Sequence, residues 1–495
     1  MLGRVSGVRV AVVGGGISGL AAAWFLRQSL GASAQIVVLE KQPVVGGHLR
    51  VSDVAGLPVD EGAESLLARR PEAVELARDV GLGDDIVHPA AVGAGLWSRG
   101  SIVALPAGTV MGVPADPARL TGVLTPAEMT AAIVRDAADP LSVDGDVAIG
   151  RLVRSRYGDA VADRLVEPLL GGVYAGRADE LSLDATVPAL GAAARTAQSL
   201  GEAVSAVAAG PPSAPGSAAA PASAAAPGSA AAPASAGPVF AGLTGGVGRL
   251  PGAVAAASGA EVRTGVTVRS IERTPDGWRL VTGPVPEPSV LEVDAVVVAT
   301  PAVAAARLLA SAAPVAAAEL GGVEAASMAI VTLALPAGGF PTAPSTSGFL
   351  VPPVDGRTIK AVTYSSVKWP WLGGRAGGLV LLRASLGRHG EARALQRDDD
   401  ELVAAALADV RGATGYAGGV VDSRVTRWGG ALPQYAVGHL DRVARIRAAV
   451  EPVPGLAVCG AVYDGVGIAA CVGAARDAAG RVGAYLSERR ARIET

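Results

Sequence analysis

A glycine-rich segment near the beginning of the chain limits the fold more than any other feature. The stretch VAVVGGGISGLAA holds the pattern G-x-G-x-x-G at Gly14, Gly16 and Gly19. The apolar residues before it predict a buried strand over Val8–Val13, and the Ala-rich residues after it predict a helix over Gly19–Leu30. In that context the first glycine permits a tight turn, the second lets the backbone approach a pyrophosphate, and the third allows close packing of helix on strand. The sequence therefore predicts a Rossmann-like domain that binds a dinucleotide at a helix N-terminus.

An acidic residue at the end of the next predicted strand completes this motif. Glu40 follows the strand predicted over Ile36–Leu39 and comes 21 residues after Gly19. A carboxylate at this place accepts hydrogen bonds from ribose hydroxyls and disfavours a 2′-phosphate. The cofactor contacts predicted in this unit are Gly14, Gly15, Gly16, Ile17, Ser18, Gly19, Glu40 and Lys41.

Two further glycine-rich segments favour FAD over a nicotinamide cofactor. The pair Gly46-Gly47 follows the ribose acid, and VDEGAES covers residues 59–65. A second glycine pair here resembles the phosphate-side motif of flavoproteins of the amine oxidase and glutathione reductase types. Residues 458–468, VCGAVYDGVGI, predict a strand, a glycine-rich turn and a helix start, and thus a second helix N-terminus able to face the flavin. The cofactor contacts predicted in these segments are Gly47, Gly62, Ala63, Glu64, Ser65, Val466, Gly467 and Ile468.

Motifs along nearly the whole chain resemble those of bacterial HemY-type porphyrinogen oxidases, which are amine oxidase-like flavoproteins. The most specific is WGGALPQYAVGH over residues 428–439. The others are GAESLLARRP at 62–71, EP at 167–168, GGVYAG at 171–176, LS at 181–182, LTGGVGRLP at 243–251 and VATPA at 298–302. Two residues depart from the family pattern, since Ala63 stands where Pro is frequent and His48 where Lys or Arg is common. Neither departure is expected to abolish flavin binding.

The resemblance implies an activity. The reaction is FAD-dependent oxidation of coproporphyrinogen III to coproporphyrin III with O2 as acceptor and release of H2O2, within haem biosynthesis. Six electrons leave the macrocycle in three two-electron steps, each as a hydride passed to the flavin. Because the flavin supplies this chemistry, no catalytic side chain is predicted. The 4 histidines show no metal-ligand spacing, so no metal site is predicted either.

The resemblance also assigns residues around the substrate and the cofactor. Arg70 corresponds to a basic position near the substrate, and a guanidinium suits a propionate. Gly348 and Leu350 lie in a segment that resembles the loop covering the ring. Val268 fits a position whose backbone contacts the adenine side, and Trp428 could stack near the flavin. The alternatives left open are a solvated surface pair for Arg70 and ordinary packing for the other residues.

Composition excludes several classes of protein. Lys and Arg number 42 and Asp and Glu 45, and this near balance argues against a nucleic-acid binder. The 2 cysteines rule out a disulfide framework and fit a reducing cytoplasm. No window offers about 20 apolar residues free of charges and glycine clusters, so no transmembrane helix is predicted. We expect a cytoplasmic protein; the positive mean hydropathy leaves peripheral membrane contact open, and transient contact with haem-pathway enzymes also stays open.

The alternation of predicted elements indicates an α/β protein with more than one domain. We predict a discontinuous FAD-binding domain over 1–80, 238–306 and 426–495, of the glutathione reductase type. Residues 81–209 are predicted to form a mainly helical insert, with helical patterns at Arg119–Arg135, Gly145–Arg156 and Ala160–Leu165. An Ala/Pro/Ser/Gly repeat predicts a disordered linker over 210–237. Residues 307–425 are predicted to form a substrate-binding domain on a largely antiparallel, mixed sheet.

Three other functions remain open from the sequence. The first is oxidation of protoporphyrinogen IX, which carries two propionates and two vinyls where coproporphyrinogen carries four propionates. The second is an amine oxidase or carotenoid desaturase activity, which the 428–439 stretch argues against. The third is a flavin-loaded porphyrin carrier without catalytic turnover.

Overall fold

The structure is a computed structural model that describes residues 7–210 and 238–494. Apart from Gly210, the predicted linker 210–237 lies outside the described residues. The strands of the described part are β1 (Arg9–Val13), β2 (Gln35–Leu39), β3 (Val51–Val54), β4 (Leu57–Asp60), β5 (Leu66–Leu67), β6 (Ile86–Val87), β7 (Gly95–Ser98), β8 (Ser101–Ala104), β9 (Thr109–Val110), β10 (Val113–Pro114), β11 (Phe240–Leu243), β12 (Glu261–Arg263), β13 (Val268–Thr274), β14 (Gly277–Thr282), β15 (Ser289–Val293), β16 (Ala295–Val298), β17 (Ala325–Pro336), β18 (Gly348–Leu350), β19 (Ile359–Tyr364), β20 (Leu379–Leu386), β21 (Asp422–Pro433) and β22 (Leu456–Val458).

Helices cover the faces of the sheets and build the insert. They are α1 (Ile17–Leu30), α2 (Pro71–Ala77), α3 (Pro126–Ala138), α4 (Ile149–Tyr157), α5 (Asp159–Val161), α6 (Glu167–Tyr174), α7 (Leu183–Thr186), α8 (Pro188–Ala194), α9 (Leu200–Ala209), α10 (Leu250–Ser258), α11 (Ala302–Leu309), α12 (Pro314–Gly321), α13 (Ser365–Lys368), α14 (Pro370–Gly373), α15 (Asp399–Thr414), α16 (His439–Val450) and α17 (Ile468–Glu494).

A five-stranded parallel sheet forms the centre of the nucleotide-binding half, in the order β12-β2-β1-β16-β22. Val10 and Val12 of β1 pack towards α1, α2, α10 and α17 on one face. Ala11 and Val13 pack towards α11, α12 and α16 on the other face, where the β13-β14-β15 sheet also lies. Because both faces are covered, the central strands are apolar along their whole length.

A second sheet, with seven strands, follows the order β21-β17-β20-β19-β18-β7-β8. It is mixed, because β18 runs parallel to β7 while the other neighbours are antiparallel. Helix α15 covers one face of this sheet. The helices of the insert form a separate apolar cluster, which also contains Leu350 of β18. The predicted α/β fold, with a Rossmann-like domain, a mixed sheet and a helical insert, is confirmed.

The insert contributes strands as well as helices. Strands β7 and β8 lie within the range 81–209 that was predicted to be mainly helical, and they extend the seven-stranded sheet. Strand β21 begins at Asp422, ahead of the boundary predicted at 426. The division into domains stays a prediction, with these strands assigned to the second sheet.

The helix predicted over Arg119–Arg135 is wrong in its first half. A short turn ends at Arg119, and α3 begins only at Pro126. The Thr125 hydroxyl accepts a hydrogen bond from the Glu128 N–H, and the Glu128 carboxylate accepts one from the Thr125 N–H. This capping box, with proline at the first helical position, fixes the helix start and outweighs the apolar periodicity before it.

Helix α17 closes the nucleotide-binding half against α1. Its Ala-rich face packs beside the Ala-rich face of α1, so that the two backbones approach closely. Although it spans 27 residues, charged residues interrupt it. Across the ranges 7–210 and 238–494, no helix is both long enough and apolar enough to cross a membrane.

Gly19→Ala tests the packing of α1 on the loop before it. An added Cβ would lie 1.9 Å from the Gly14 carbonyl oxygen, so we expect a loss of about 1–3 kcal/mol in the free energy of unfolding. The matched control is Gly480→Ala in α17, where nothing lies within 4 Å of the added Cβ and a gain of about 0.5–1 kcal/mol is expected. Urea unfolding followed by circular dichroism measures both; equal midpoints for the two variants would contradict this packing.

Candidate active site

The loop between β1 and α1 is shaped by its glycines. Gly14 has φ of 110°, and an added Cβ there would lie 2.6 Å from the Ala299 carbonyl oxygen. At Gly16 the position of an added Cβ faces open space. Gly16 also precedes α1 without a side-chain cap. The first turn of α1, including Ile17 and Ser18, thus presents backbone N–H groups beside an open position, as an anionic phosphate requires.

Glu40 is fixed beside this loop by backbone donors. Its Oε2 accepts a 2.7 Å hydrogen bond from the Gly15 N–H, and its Oε1 accepts one of 2.7 Å from the Gln42 N–H. Each oxygen keeps a lone pair that can accept a hydroxyl. The Val266 N–H donates to the Glu40 carbonyl at 2.9 Å. Val268 begins β13 two residues further on and is partly buried, whereas Lys41 is exposed.

The second glycine pair lies across the loop. The Gly46 N–H donates to the Gly15 carbonyl at 2.8 Å. Gly47 has φ of 59°, and an added Cβ there would lie 3.4 Å from the Gly16 Cα. The pair is glycine because both residues have positive φ, 114° at Gly46 and 59° at Gly47, and because an added Cβ at Gly46 would lie 2.4 Å from the Leu49 carbonyl oxygen.

Two aromatic side chains hold the turn that precedes α17 and contains Val466 and Gly467. The Tyr435 hydroxyl donates to the Ala461 carbonyl, and His439 Nε2 lies 2.9 Å from the Val462 carbonyl oxygen. A carbonyl can only accept, so the neutral imidazole carries its proton on Nε2. The two rings stack with centroids 4.1 Å apart. The second helix start, at Ile468, is thereby positioned by side chains of the 428–439 stretch.

The same stretch joins the helical insert. Gln434 Nε2 donates to the Tyr174 carbonyl at 2.8 Å, and the Ser182 N–H donates to the Tyr435 carbonyl at 2.7 Å. The Gly438 N–H donates to Asp146 Oδ2 at 2.8 Å. One segment therefore contacts both the turn before α17 and the insert that lies over it.

A buried ion cluster connects the 62–65 segment to the second sheet. Lys368 Nζ lies 2.6 Å from Glu64 Oε1, and Arg383 Nη1 lies 2.8 Å from Glu64 Oε2. The Ser365 hydroxyl donates to Glu64 Oε2 at 3.1 Å. The side chains of Lys368, Arg383 and Glu64 are exposed by only 6%, 6% and 5%. Removal of Glu64 would leave two positive charges in the interior without their shared counter-ion.

Further hydrogen bonds extend this cluster along the segment. Lys368 Nζ donates to the Ser65 hydroxyl at 2.9 Å, and Arg383 donates to the Gly62 carbonyl. Burial alone would raise the pKa of Glu64, but the charges and hydrogen bonds of Lys368 and Arg383 lower it to about 2. Glu64 is thus ionised at neutral pH, and its role is to orient the segment.

Asp60 is a second buried carboxyl group beside the cluster. It accepts hydrogen bonds from the backbone N–H groups of Val247 at 3.0 Å and Gly248 at 2.8 Å. Burial raises the pKa of Asp60 to about 7, against the effect of these two donors. Asp60 thereby fixes the glycine-rich turn before α10 against β4.

Trp428 lies between the segment that follows Gly46-Gly47 and the 59–65 segment. Its indole N–H donates to the Glu61 carbonyl at 2.9 Å. His48 packs edge-on against its ring at 5.1 Å, and the Arg50 guanidinium lies 5.5 Å from its centroid. The ring thus contacts the residues that follow the second glycine pair, and flavin stacking by Trp428 stays a prediction.

The predicted substrate residues of β18 face the helical insert. Phe349 packs on the α15 side of the sheet, so strand alternation turns Gly348 and Leu350 to the opposite face. Leu350 is buried among side chains of α6, and Val466 packs against the same cluster. The structure therefore brings a predicted substrate residue and a predicted flavin residue to one apolar wall. Gly348 also has a structural reason to be glycine, since an added Cβ would lie 2.0 Å from the Val362 carbonyl oxygen.

Arg70 is placed differently from these residues. Its Nη2 lies 2.6 Å from Glu72 Oε1, with side chains 19% and 17% exposed. It immediately precedes α2, which packs on α17. Its substrate role stays a prediction, because its described contacts are with the nucleotide-binding half. Ala63 also packs against the apolar cluster of that half.

The residues present fit a flavin dinucleotide. The Thr300 hydroxyl, beside Gly14, is buried without a hydrogen-bond partner in the described part of the chain, as is the Tyr463 hydroxyl in the turn before α17. Gly16 leaves the open approach that a pyrophosphate needs. Within the described ranges there is no cluster of three or more His, Cys, Asp or Glu that could hold a metal ion.

The fold and the site define a flavoprotein oxidoreductase of the dinucleotide-binding type. Comparison with family models gives the specific assignment: the chain belongs to the flavin containing amine oxidoreductase family, whose model matches residues 17–483. The cofactor is FAD, as the glycine motifs predicted.

Similar proteins cover nearly the whole chain. A coproporphyrinogen III oxidase of Mycobacterium tuberculosis (strain H37Rv) is 39% identical over 471 residues, which cover 94% of this chain and 95% of that protein. One of Bacillus subtilis (strain 168) is 28% identical, covering 94% and 95% of the two chains. The crystal structure of a candidate protoporphyrinogen oxidase of Exiguobacterium sp. 255-15 superposes with a TM-score of 0.81 and 28% identity, covering 97% of this chain and 100% of that one. These findings confirm the predicted resemblance to porphyrinogen oxidases.

Several residues that hold the site together are not among the predicted ones. Arg383 was not singled out, although an arginine within the apolar run LVLLRASL is an unusual core residue. Tyr435 and His439 were recognised only as parts of a family motif. Asp60 lies within VDEGAES and has no predicted role. In each case the partner is distant in the sequence, so no local pattern revealed it.

Glu64→Gln tests the ion cluster. The substitution keeps the side-chain shape but leaves Lys368 and Arg383 without their counter-charge, so we expect a loss of about 3–5 kcal/mol in unfolding free energy at pH 7 and a lower FAD content per chain. Since the folded pKa of Glu64 is lowered to about 2, its contribution is complete above its unfolded value and disappears as the pH falls towards 2.

The control is Glu261→Gln, which removes an exposed partner 2.8 Å from Arg263 and should cost less than about 1 kcal/mol. Urea titration and flavin absorbance measure the two effects. Equal stability of the Glu64 and Glu261 variants would refute the role of the cluster.

His439→Gln tests the neutral imidazole. Burial lowers the pKa of His439 to about 4, against the opposing effect of the Val462 carbonyl. The unfolded chain therefore binds this proton more readily, and the folded protein loses up to about 1.4 kcal/mol per pH unit as the pH falls from 6.5 towards 4. A glutamine amide can still donate to Val462 but does not titrate, so the variant should lack this part of the slope. Unfolding free energies at pH 4.5, 5.5 and 7 give the difference, and parallel curves for the two proteins would show that His439 makes no such contribution.

Proposed function

We propose that this protein oxidises coproporphyrinogen III to coproporphyrin III with O2 as acceptor, as a step of haem biosynthesis. The observation that carries the proposal is the apolar wall of the helical insert, against which Leu350 of the second sheet and Val466 of the turn before α17 both pack. The full-length similarity to coproporphyrinogen III oxidases supports the choice of substrate.

Bound FAD would supply the redox chemistry, a two-electron hydride acceptor that O2 reoxidises, so that three rounds would give one porphyrin and three H2O2. The chain's own residues exclude water from the site and hold the segments around it in place. Helix α6 and Leu350 exclude water with apolar side chains. Glu64, Lys368 and Arg383 hold the 62–65 segment, and Tyr435 and His439 hold the turn before α17. Pyrrole N–H protons can leave to solvent, so no acid–base pair is required.

We further propose Arg70, Gly348 and Leu350 as substrate contacts, and a cytoplasmic location. The FAD contacts proposed are Gly14–Gly19, Glu40, Lys41, Gly47, Gly62–Ser65, Val268, Trp428 and Val466–Ile468. Peripheral membrane contact and transient contact with other enzymes of haem biosynthesis stay open.

Turnover of two porphyrinogens tests the function. The FAD-loaded protein in air should convert coproporphyrinogen III to its fluorescent porphyrin with three H2O2 per product, and kcat/KM should exceed that for protoporphyrinogen IX. A clear preference for protoporphyrinogen IX would replace the substrate while keeping the reaction. Formation of no porphyrin and no H2O2 from either would reject oxidase activity and favour a carrier, and turnover of a polyamine alone would favour an amine oxidase.

A further inference from the structure

Two buried cations at one end of the seven-stranded sheet have no role in the site described above. Lys360 lies on β19 and is 3% exposed, and Arg388 follows β20 and is 9% exposed. Lys360 Nζ and Arg388 Nη2 are buried without a hydrogen-bond partner in the residues that the structure describes. The two lie at the same end of the β19–β20 ladder, where Ile359 pairs with Leu386. Burial, and after it the charge of Arg388, lower the pKa of Lys360 to about 7.

The acids nearby do not hydrogen-bond the Lys360 ammonium in the described part of the chain, although the charge of Glu391 acts on it. Glu391 Oε2 lies 3.7 Å from Arg388 Nη1, and the Glu391 side chain is 40% exposed. Glu167 also faces Arg388, but its Oε2 accepts a 2.8 Å hydrogen bond from the Ala178 N–H. Neither carboxylate bonds Lys360 Nζ. A buried ammonium with no hydrogen-bonded counter-ion is costly, and an anion bound beside it would remove that cost.

This pair borders the wall that carries the proposed substrate residues. The Val351 N–H donates to the Lys360 carbonyl at 2.9 Å. The next residue, Ala361, lies opposite Leu350 in the β18–β19 ladder, and both pack against the cluster of the helical insert. Arg388 approaches the same insert at Glu167, the first residue of α6. The two cations thus belong to the part of the second sheet that meets the helical insert.

We propose that Lys360 and Arg388 form a subsite that binds a carboxylate of the substrate. The inference rests on the proposed function, because coproporphyrinogen presents four propionates around an apolar macrocycle. An ammonium supplies a charge and an adjacent guanidinium supplies a planar fork, which together suit one carboxylate. Lys360 Nζ is covered by protein atoms, so rotation about its side-chain bonds must accompany binding.

Lys360→Met tests the subsite, because it preserves the length of the side chain and removes the charge. We expect KM for coproporphyrinogen III, and Kd for coproporphyrin III measured by fluorescence on the FAD-loaded protein, to rise about 10- to 100-fold. The values of kcat and the flavin spectrum should stay close to those of the wild type. Lys360→Arg should retain most of the affinity. Since the change removes an unpaired buried charge, Tm without substrate should be unchanged or higher, whereas a purely structural role predicts a lower Tm.

Two further variants complete the design. Arg388→Gln should also raise KM and Kd, because it removes the second cation. Arg177→Gln is the matched control. The Arg177 guanidinium is exposed and lies 3.7 Å from the position of an added Cβ at Gly390, two residues after Arg388. Its loss should leave KM unchanged. An unchanged KM and Kd in Lys360→Met, or an equal rise in the Arg177 variant, would overturn the subsite. Failure of the wild type to oxidise either porphyrinogen would instead reject the proposed function, and the Kd for coproporphyrin would still report on the subsite.

Discussion

The burial of one ionised carboxylate, Glu64, is the interaction on which the arrangement of the site depends. Its two counter-ions come from the second sheet and the short helix beside it, whereas Glu64 belongs to the 62–65 segment that follows β4. A buried carboxylate stays charged only when its partners are held at hydrogen-bond distance, so the cluster fixes the sheet relative to that segment. The position of Leu350 against the helical insert depends on the same sheet, to which Arg383 also belongs.

The 428–439 stretch connects the turn before α17 to the helical insert. Tyr435 and His439 bind carbonyl groups of the turn before α17, while Gln434 and the Tyr435 carbonyl bind the helical insert. Buried polar groups need such partners, and a segment that satisfies groups of two different units also sets the distance between them. The motif is therefore a structural connection as much as a family signature.

The fold could be predicted where steric rules act locally. The loop glycines at Gly14 and Gly19 lie where an added Cβ would meet backbone atoms, which is why their spacing predicts a Rossmann-like turn. Thr125 and Glu128 form a capping box that predicts the start of α3. The apolar periodicity before them wrongly extends the predicted helix back to Arg119. The ion cluster could not be predicted, because Glu64 is separated from its partners by 304 and 319 residues and a pair so distant leaves no periodic pattern. The parallel pairing of β7 with β18 could not be predicted either, because the two strands are also distant in the sequence.

The packing of α17 on α1 has a consequence for biosynthesis. Residues near opposite ends of the chain meet in one apolar cluster, and β22 completes the sheet that begins with β1. During translation the first strand and helix therefore emerge long before the residues that cover them. The sheet that begins with β1 is completed only after Leu456–Val458 and α17 have left the ribosome, so a nascent chain truncated before α17 would leave the apolar face of α1 uncovered.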